Sequence, residues 1–127
     1  MTTDEIIQYC LSKTGAYVDF PFGDIPMCIK VSNRLFAQIY PKPEDHKLTL
    51  NCDRAAGEFY RSEYPGTVVR GYHCPPAQQP YFNTVYLDKG IPDEKLKDMI
   101  DHSYSTVVGK LPKRQKEALL SGRSTDI

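Results

Sequence analysis

The chain has 127 residues, of which 40% are hydrophobic, and its 16 basic and 16 acidic residues cancel. This length and composition are typical of a single globular domain, and zero net charge excludes a general electrostatic attraction to nucleic acid or to anionic membranes. No apolar run approaches the ~20 residues that a membrane helix needs, which argues against a membrane protein.

The first twenty residues lack the basic start and apolar stretch of a signal peptide, so we predict a cytoplasmic protein. The four cysteines form no C-x-x-C pair and are interpreted as reduced thiols, mostly small hydrophobic residues of the core. The charge is unevenly distributed. Residues 1–29 carry four acids and one base, whereas residues 110–123 carry five bases and one acid.

The chain begins with a predicted helix over about residues 3–14. Thr2 and Glu5 have the spacing of a capping box, in which each side chain satisfies a free backbone N–H of the other residue. Ile7 and Cys10 fall at helical spacing, and Gly15 favours a left-handed exit.

Three strands are predicted to follow. Residues from Ile25 to Val31 alternate between apolar and other side chains, Ser32-Asn33 suits a tight turn, and Leu35–Tyr40 returns as the second strand of a hairpin. A proline-punctuated loop leads to a third strand over Lys47–Asn51.

A second helix is predicted between Asp53, which can cap its first turn, and Tyr64. Ala56, Phe59 and Tyr60 are expected to form its inner stripe. Pro65 disfavours helical geometry in the residue before it and therefore has a structural role in ending the helix.

Two more strands are predicted at Thr67–Arg70 and Phe82–Leu87, separated by the proline-rich loop 71–80. A third helix starts at Pro92 and keeps an apolar stripe through Leu111. Pro112 is expected to start a short basic helix that ends at Gly122. We predict one domain over residues 1–122 and a frayed tail over residues 123–127.

The predicted fold class is α+β. The order αβββαββα plus a short C-terminal helix, with short loops between paired strands, favours two layers: a curved antiparallel sheet of about five strands, with the helices on one face.

Several short motifs follow one another in a characteristic order along most of the chain. They are Phe20-Pro21-Phe22-Gly23, Leu48–Asp53, Glu63-Tyr64-Pro65, Gly71-Tyr72-His73, Asn83-Thr84-Val85, Asp101–Tyr104 and Leu111-Pro112-Lys113. In order and spacing, over about residues 3–114, this set resembles the MmcQ/YjbR family of small bacterial proteins. The resemblance implies a CyaY-like, secretion-chaperone-like fold and DNA binding as the function usually assigned to members.

Two departures from the family pattern bear on that function. The family usually places a Trp directly before Asn83-Thr84-Val85, where this chain has Phe82. The family often has basic residues in the loop from Cys74 to Gln79, where this chain has none. Nucleic-acid contact through this loop is therefore not expected.

The loop residues Tyr72 and His73 are candidate binding residues, because loops between strands often carry function. In the functional interpretation Tyr72 stacks on a base or ring and His73 forms a hydrogen bond with a ligand. In the structural interpretation, which we favour on sequence grounds, Tyr72 closes the sheet edge and His73 holds the loop.

The basic C-terminal segment is the main electrostatic candidate for nucleic-acid binding, and three cations of the predicted strands could extend it. Strong non-specific binders neutralise roughly six to ten phosphates, so weak and salt-sensitive DNA binding is expected. The candidates are Lys110, Lys113, Arg114 and Lys116 in the segment, with Lys30, Arg34 and Arg70 in the strands.

No catalytic residues are predicted. Asp101, His102 and Ser103 are consecutive on a helix, where neighbours point about 100° apart, so they cannot form a catalytic chain. Ser103 and Tyr104 are instead interpreted as structural residues that face the sheet, and Asn83 as a structural residue of the last strand. No histidine or cysteine pair has zinc-ligand spacing, so neither a metal nor a cofactor is predicted.

The sequence leaves alternatives open for the function. A nucleic-acid-binding module without catalytic activity is the main hypothesis. A protein-interaction or chaperone-like module using the sheet face is the alternative, since Tyr is enriched in interface cores. An enzyme of unknown reaction is the third possibility.

Overall fold

A computed structural model describes residues 1–121. Its elements, in chain order, are α1 (Thr3–Leu11), β1 (Tyr17–Asp19), β2 (Met27–Val31), β3 (Arg34–Tyr40), β4 (Lys47–Asn51), α2 (Arg54–Glu63), β5 (Val68–Arg70), β6 (Phe82–Tyr86), α3 (Asp93–Gly109) and α4 (Lys113–Leu120). Short 3-10 turns at Pro43–Asp45 and Gln79–Tyr81 precede β4 and β6.

The sheet has six strands in the order β1-β2-β3-β4-β6-β5, and every pair is antiparallel. The predicted α+β class with an antiparallel sheet is confirmed. The sequence predicted about five strands, one fewer than the structure has. The missed strand is β1, which pairs Tyr17 with Lys30 and Asp19 with Cys28. Three residues are too few to show an alternation, so β1 depends on its pairing with β2.

One face of the sheet carries the apolar core. Alternation along the strands brings Ile29, Ile39, Leu48, Val68 and Val85 to this face, all at most 1% exposed. Helix α3 packs across β3 and β4 and contributes to the same cluster from its buried stripe. The buried residues of that stripe are Leu96, Met99, Ile100, Ser103 and Val107.

The helix termini follow from local capping. The predicted capping box of α1 is present, since Thr2 Oγ1 accepts from Glu5 N at 3.1 Å and Glu5 Oε1 accepts from Thr2 N at 2.8 Å. Asp53 Oδ1 likewise accepts from Ala56 N at 2.7 Å at the start of α2. The hydrogen bonds within each cap satisfy donors that an uncapped helix leaves free.

The structure differs from the sequence predictions at several boundaries. Helix α1 ends at Leu11, earlier than predicted, and Gly15 (φ 77°) lies in the turn that follows. Strand β2 begins at Met27, after a cis peptide bond between Ile25 and Pro26. The predicted end of the last helix, Gly122, and the predicted tail at residues 123–127 lie outside the described residues.

The inner stripe of α2 was predicted wrongly in one position. Phe59 is 55% exposed, and the helix instead presents Gly57 to the sheet. A Cβ atom at residue 57 would lie 2.8 Å from Cys52 Sγ and 3.1 Å from the Pro80 carbonyl oxygen. This close approach turns the Gly57 side of the helix inward and leaves Phe59 in solvent.

Candidate functional site

The face of the sheet opposite the helices holds a cleft. We call it the open-face cleft: a cavity of about 120 Å³ bounded by strands β3 to β6 and the start of the loop 71–80. Its lining residues are Tyr40, Lys47, Thr49, Val69, Arg70, Tyr72, His73, Thr84 and Tyr86. Three tyrosines and two permanent cations line the cleft, and none of the lining residues is an acid.

Strand alternation puts Tyr40, Lys47, Thr49, Val69, Thr84 and Tyr86 on one face, whereas Arg70, which pairs with Asn83, reaches the cleft from the end of β5. The sheet register aligns Tyr40 with Lys47, Lys47 with Tyr86, and Thr49 with Thr84, so the polar and aromatic positions of neighbouring strands lie side by side. The hydroxyl groups of Thr49 and Thr84 are 3.1 Å apart and form the floor.

Lys47 lies between an acid and an aromatic ring at one end of the cleft. Its Nζ is 3.0 Å from Asp45 Oδ1 and 4.8 Å from the centroid of the Tyr40 ring. Burial raises the pKa of the Tyr40 phenol, and the nearby Lys47 charge opposes the shift. The phenol therefore stays neutral and can act as a hydrogen-bond donor at physiological pH.

The opposite end of the cleft is formed by Arg70, Tyr72 and His73. Arg70 makes no ion pair within residues 1–121, and Tyr72 is 69% exposed, so its ring is available to a ligand. The His73 ring lies edge-on to Phe82 with centroids 6.1 Å apart, and His73 Nε2 is 3.3 Å from Cys74 Sγ.

Gly71 positions these residues. Its backbone N donates to the Phe82 oxygen at 2.9 Å, and an added Cβ would lie only 2.6 Å from Phe82 Cβ. Only glycine permits such a close passage of the loop over β6. The loop is then secured by Cys74 N donating to the Gly71 oxygen at 2.9 Å and Gln79 Nε2 donating to the Cys74 oxygen at 3.0 Å.

The other cations predicted from the sequence do not join the open-face cleft. Lys30 is on the same sheet face but pairs with Asp19 at 2.7 Å. Arg34 and Lys110 line a different cavity, near the end of α3. Lys113, Arg114 and Lys116 lie on α4, where Lys113 Nζ is 4.0 Å from Glu117 Oε1. The predicted candidates therefore fall into separate groups.

Sequence reasoning missed Tyr40, Lys47 and Tyr86 as members of the cleft. The sequence pattern did indicate these three residues, because each occupies an outward-facing position in the alternation of its strand. What the sequence does not contain is the pairing of β4 with β6, which joins segments 35 residues apart at Thr49 and Thr84.

The structural residues have the following partners. Asn83 is buried, accepts from Arg61 Nη1 at 2.6 Å and donates to the Gly57 oxygen at 3.4 Å. Ser103 donates to the Phe36 oxygen and accepts from Asn51 N at 2.9 Å. Tyr104 donates to the Thr14 oxygen at 2.6 Å. Pro65 follows α2 and forms an isolated bridge with Val68.

The run Asp101-His102-Ser103 does not converge. Asp101 accepts from Tyr9 Oη at 2.6 Å and pairs with Lys13, while His102 Nε2 accepts from Asp53 N at 3.1 Å. With Ser103 bound to backbone groups, the three side chains contact three different parts of the fold. This arrangement contains no relay from carboxylate to imidazole to hydroxyl.

A Thr–His–Asp chain does occur elsewhere. His46 Nε2 is 2.9 Å from Thr3 Oγ1, and its Nδ1 is 2.9 Å from Asp88 Oδ1. Asp88 is exposed, and its carboxylate would oppose negative charge developing on a substrate beside Thr3. We interpret the chain as a clamp between α1, β4 and the end of β6.

Within residues 1–121, no group of three or more His, Cys, Asp or Glu side chains could hold a metal ion. No described helix has the length and apolar character to cross a membrane. All four cysteines are free thiols, and burial raises the pKa of Cys10 to about 12 and that of Cys52 to about 11. Neither of these two thiols therefore ionises at neutral pH.

Comparison with known proteins identifies relatives over most of the chain. The profile of the YjbR family matches residues 11–106. An uncharacterized protein YjbR of Escherichia coli K12 is 29% identical over 120 residues, which cover 94% of this chain and 98% of that protein. The YjbR protein of Escherichia coli O157:H7 matches with the same identity and coverage.

Two solved structures share the architecture. The Deinococcus radiodurans protein DR2400, which has a DUF419 domain, superimposes with a TM-score of 0.83 at 27% identity, covering 98% of this chain and 92% of that one. A Pseudomonas syringae protein superimposes with a TM-score of 0.65 at 17% identity over 81% of this chain and 96% of that one. At that identity the second match reports on the fold alone.

Proposed function

The chain belongs to the YjbR family, and from that premise we propose that it is a non-catalytic module that binds single-stranded nucleic acid weakly in the open-face cleft. The observation that carries this proposal is the lining of the cleft, which combines three tyrosine rings with Lys47, Arg70 and His73 and includes no acid. Base stacking on aromatic side chains beside a positively charged groove is how proteins bind single strands without sequence readout.

The dimensions of the cleft favour a single strand over a duplex. A cavity of about 120 Å³ has room for one planar ring system, and the bases of a duplex are already stacked on each other. The exposed ring of Tyr72 is the expected stacking surface, and Arg70 is the expected partner of a backbone phosphate.

Weak affinity follows from the number of charges. The charge of Lys47 is paired with the carboxylate of Asp45. Arg70 is therefore the cation of the cleft that has no acidic partner within residues 1–121. A single strand releases about 0.7 counterions per neutralised phosphate. The slope of the logarithm of the association constant against the logarithm of the salt concentration should therefore be roughly −0.7 to −1.4 for one or two phosphate contacts. Binding is thus expected at low salt and largely lost at moderate salt.

The absence of catalysis is part of the proposal. In the open-face cleft His73 has a thiol and an aromatic ring beside it and no carboxylate among the lining residues, so no group orients it as a general base. Burial also raises the pKa of the neighbouring Cys74 thiol, which keeps that group protonated and poorly nucleophilic.

The test is fluorescence anisotropy with labelled single-stranded and duplex DNA of equal length at low and moderate salt. Tyr72→Ala should weaken single-strand binding by about 1–3 kcal/mol, the range measured for one stacked base. Tyr81→Ala is the matched control, because Tyr81 is also an exposed tyrosine but does not line the cleft. Arg70→Ala should reduce the magnitude of the salt slope by about 0.7.

Several outcomes would contradict the proposal. One is the absence of single-strand binding at low salt. Another is binding that responds equally to Tyr72→Ala and Tyr81→Ala. A third is a preference for duplex that is lost in Lys113→Ala or Arg114→Ala and kept in Arg70→Ala. The third result would assign binding to the basic helix α4.

A protein-interaction module is the second candidate, and a separate feature supports it. Phe20 and Phe22, on either side of Pro21, are 48% and 64% exposed in the turn after the edge strand β1. Exposed aromatic pairs of this kind are more frequent in interfaces than elsewhere on a surface. Nuclease-treated affinity capture that depends on these two phenylalanines and not on Tyr72 would favour this function.

A further inference from the structure

Beyond the open-face cleft, we propose that a second cavity is a binding site for a small organic phosphate monoester. This cavity, which we call the α3-end cavity, lies between the start of β3 and the C-terminal end of α3. Its volume is about 300 Å³, and its lining residues are Arg34, Leu35, Asn51, Val107 and Lys110. It shares no lining residue with the open-face cleft.

Two cations from distant parts of the sequence meet at this cavity. Arg34 is the first residue of β3, and Lys110 is the C-cap of α3. Neither forms an ion pair within residues 1–121, and no acidic residue lines the cavity. Two like charges facing one space repel each other, so an anion between them is stabilised by both.

The two cations outweigh the partial negative charge at the C-terminal end of α3, so the net charge of the site favours a phosphate group. A phosphate monoester carries about −1.5 to −2 charges near pH 7, close to the two positive charges present. The guanidinium of Arg34 can donate two parallel hydrogen bonds to phosphate oxygens, and the Lys110 ammonium adds a mobile point charge. Asn51, which is partly buried and lines the same cavity, can supply a neutral amide donor.

The remaining lining residues favour an organic group on the phosphate. Leu35 is partly buried and Val107 is 4% exposed, and together they form the apolar part of the wall. Small-molecule sites occupy roughly 300–1,000 Å³ and are mainly apolar with a few convergent polar groups. The α3-end cavity is at the lower end of that range and is larger than an inorganic phosphate ion requires.

The rest of the fold supports the cavity as a fixed feature. Asn51 N donates to Ser103 Oγ at 2.9 Å, and Ser103 in turn donates to the oxygen of Phe36, two residues after Arg34. This buried serine therefore joins α3 to both strands that border the cavity. A site whose walls are held in this way loses little entropy when a ligand binds.

The experiment is an amide chemical-shift titration of the full chain at low salt, with phenyl phosphate, inorganic phosphate and phenol as separate probes. Phenyl phosphate should bind saturably with a dissociation constant near or below about 1 mM, and should shift the amides of Arg34, Asn51 and Val107. Inorganic phosphate should bind at least several-fold more weakly, and phenol should not bind.

Variants assign the effect to the two cations. Arg34→Ala and Lys110→Ala should each weaken phenyl phosphate binding about tenfold or more, as expected for loss of one charged hydrogen-bond donor. Lys116→Ala removes the same charge from α4, outside the cavity, and should leave binding unchanged. Tyr72→Ala, in the open-face cleft, should also have no effect, so this proposal can fail or succeed independently of single-strand binding.

Three results would overturn the site. The first is the absence of saturable shifts around the cavity with phenyl phosphate. The second is inorganic phosphate binding as tightly as phenyl phosphate, which would remove the role of the apolar wall. The third is Lys116→Ala weakening binding as much as Lys110→Ala, which would show a general response to positive charge. Arg34 and Lys110 are both exposed, so their replacement should leave the fold intact.

Discussion

The two faces of the sheet are built from the same strands and differ in almost every physical property. The helix-covered face consists of fully buried aliphatic side chains, with Ile39, Leu48 and Val85 side by side on three strands. The open face carries Tyr40, Lys47 and Tyr86 on those same strands, at the positions that alternate with them. Period-two alternation thus separates the stabilising face from the one available for binding.

This difference in composition predicts which mutations should lower stability and which should mainly affect binding. A core position on the covered face contributes through burial, and its loss leaves a cavity. The open-face residues Gln38, Tyr40, Lys47 and Tyr86 are partly solvated already, so replacing their side chains should cost little stability, whereas the buried hydroxyls of Thr49 and Thr84 depend on each other. Four predictions follow this division, from the largest expected effect on stability to the smallest.

Ile100→Ala should destabilise the protein by about 2–5 kcal/mol, because Ile100 is fully buried between α3 and the sheet. Gln38→Ala on the open face is the contrasting variant and should change the free energy of unfolding by less than about 1 kcal/mol. Urea denaturation at equilibrium measures both. Equal losses in the two variants would remove the distinction between the faces.

Ser103→Ala should cost about 1–3 kcal/mol, because it leaves the Phe36 oxygen and the Asn51 N–H without their hydrogen-bond partner in a buried location. Ser105→Ala, on the exposed side of the same helix, should stay within about 0.5 kcal/mol of the parent protein. The prediction fails if the two alanine variants have the same denaturation midpoint.

The Cys10 thiol should make stability fall at alkaline pH. Burial raises its pKa from 9.0 to about 12, so between those values the folded protein keeps a proton that the unfolded chain releases. The stabilisation is complete below pH 9 and is lost as the pH rises toward 12, with a slope of at most about 1.4 kcal/mol per pH unit.

The comparison that isolates this effect is between the parent protein and Cys10→Ala, each unfolded in urea at several pH values across that window. The variant should be less stable at neutral pH because of the lost side-chain volume, but its stability should fall less steeply with pH. Parallel curves for the two proteins would show that Cys10 titrates normally. Cys74→Ala, at a partly exposed thiol, should change the slope much less.

The double variant Thr49→Val/Thr84→Val should have the smallest effect on stability. The two hydroxyls form a hydrogen bond of 3.1 Å at the floor of the open-face cleft. Either single variant leaves one hydroxyl unsatisfied and should cost about 1–3 kcal/mol, whereas removal of both with nearly unchanged shape should cost about 0.5 kcal/mol or less. A double-mutant cycle measures the difference, and simple additivity of the two singles would contradict it.

Much of the fold could be predicted from local patterns. The capping box at Thr2 and Glu5, the alternation in β2 to β4 and the apolar stripe of α3 each depend on residues within a few positions of one another. Asn33 has a positive φ of 65° in the turn where its residue type predicted one. The family resemblance came from motifs of the same short range.

The candidate sites were predictable only in part. Arg70, Tyr72 and His73 were recognised as candidates from their loop, and the structure places them together in one cleft. Arg34 was grouped with Arg70 because both are cations of strands, but the two line different cavities. Their separation depends on which strand ends meet the helices, and a single sequence does not specify that.

The sequence by itself determined the helices, most of the strands and the division of each strand into an apolar and a polar side, since these follow from local spacing and capping. The tertiary structure alone decided the sixth strand β1, the insertion of β6 between β4 and β5, and the cavities that result. The physical reason is that these features depend on pairing between segments far apart in the chain. Many strand registers are compatible with the same local pattern, and only the packing of the whole core selects one of them.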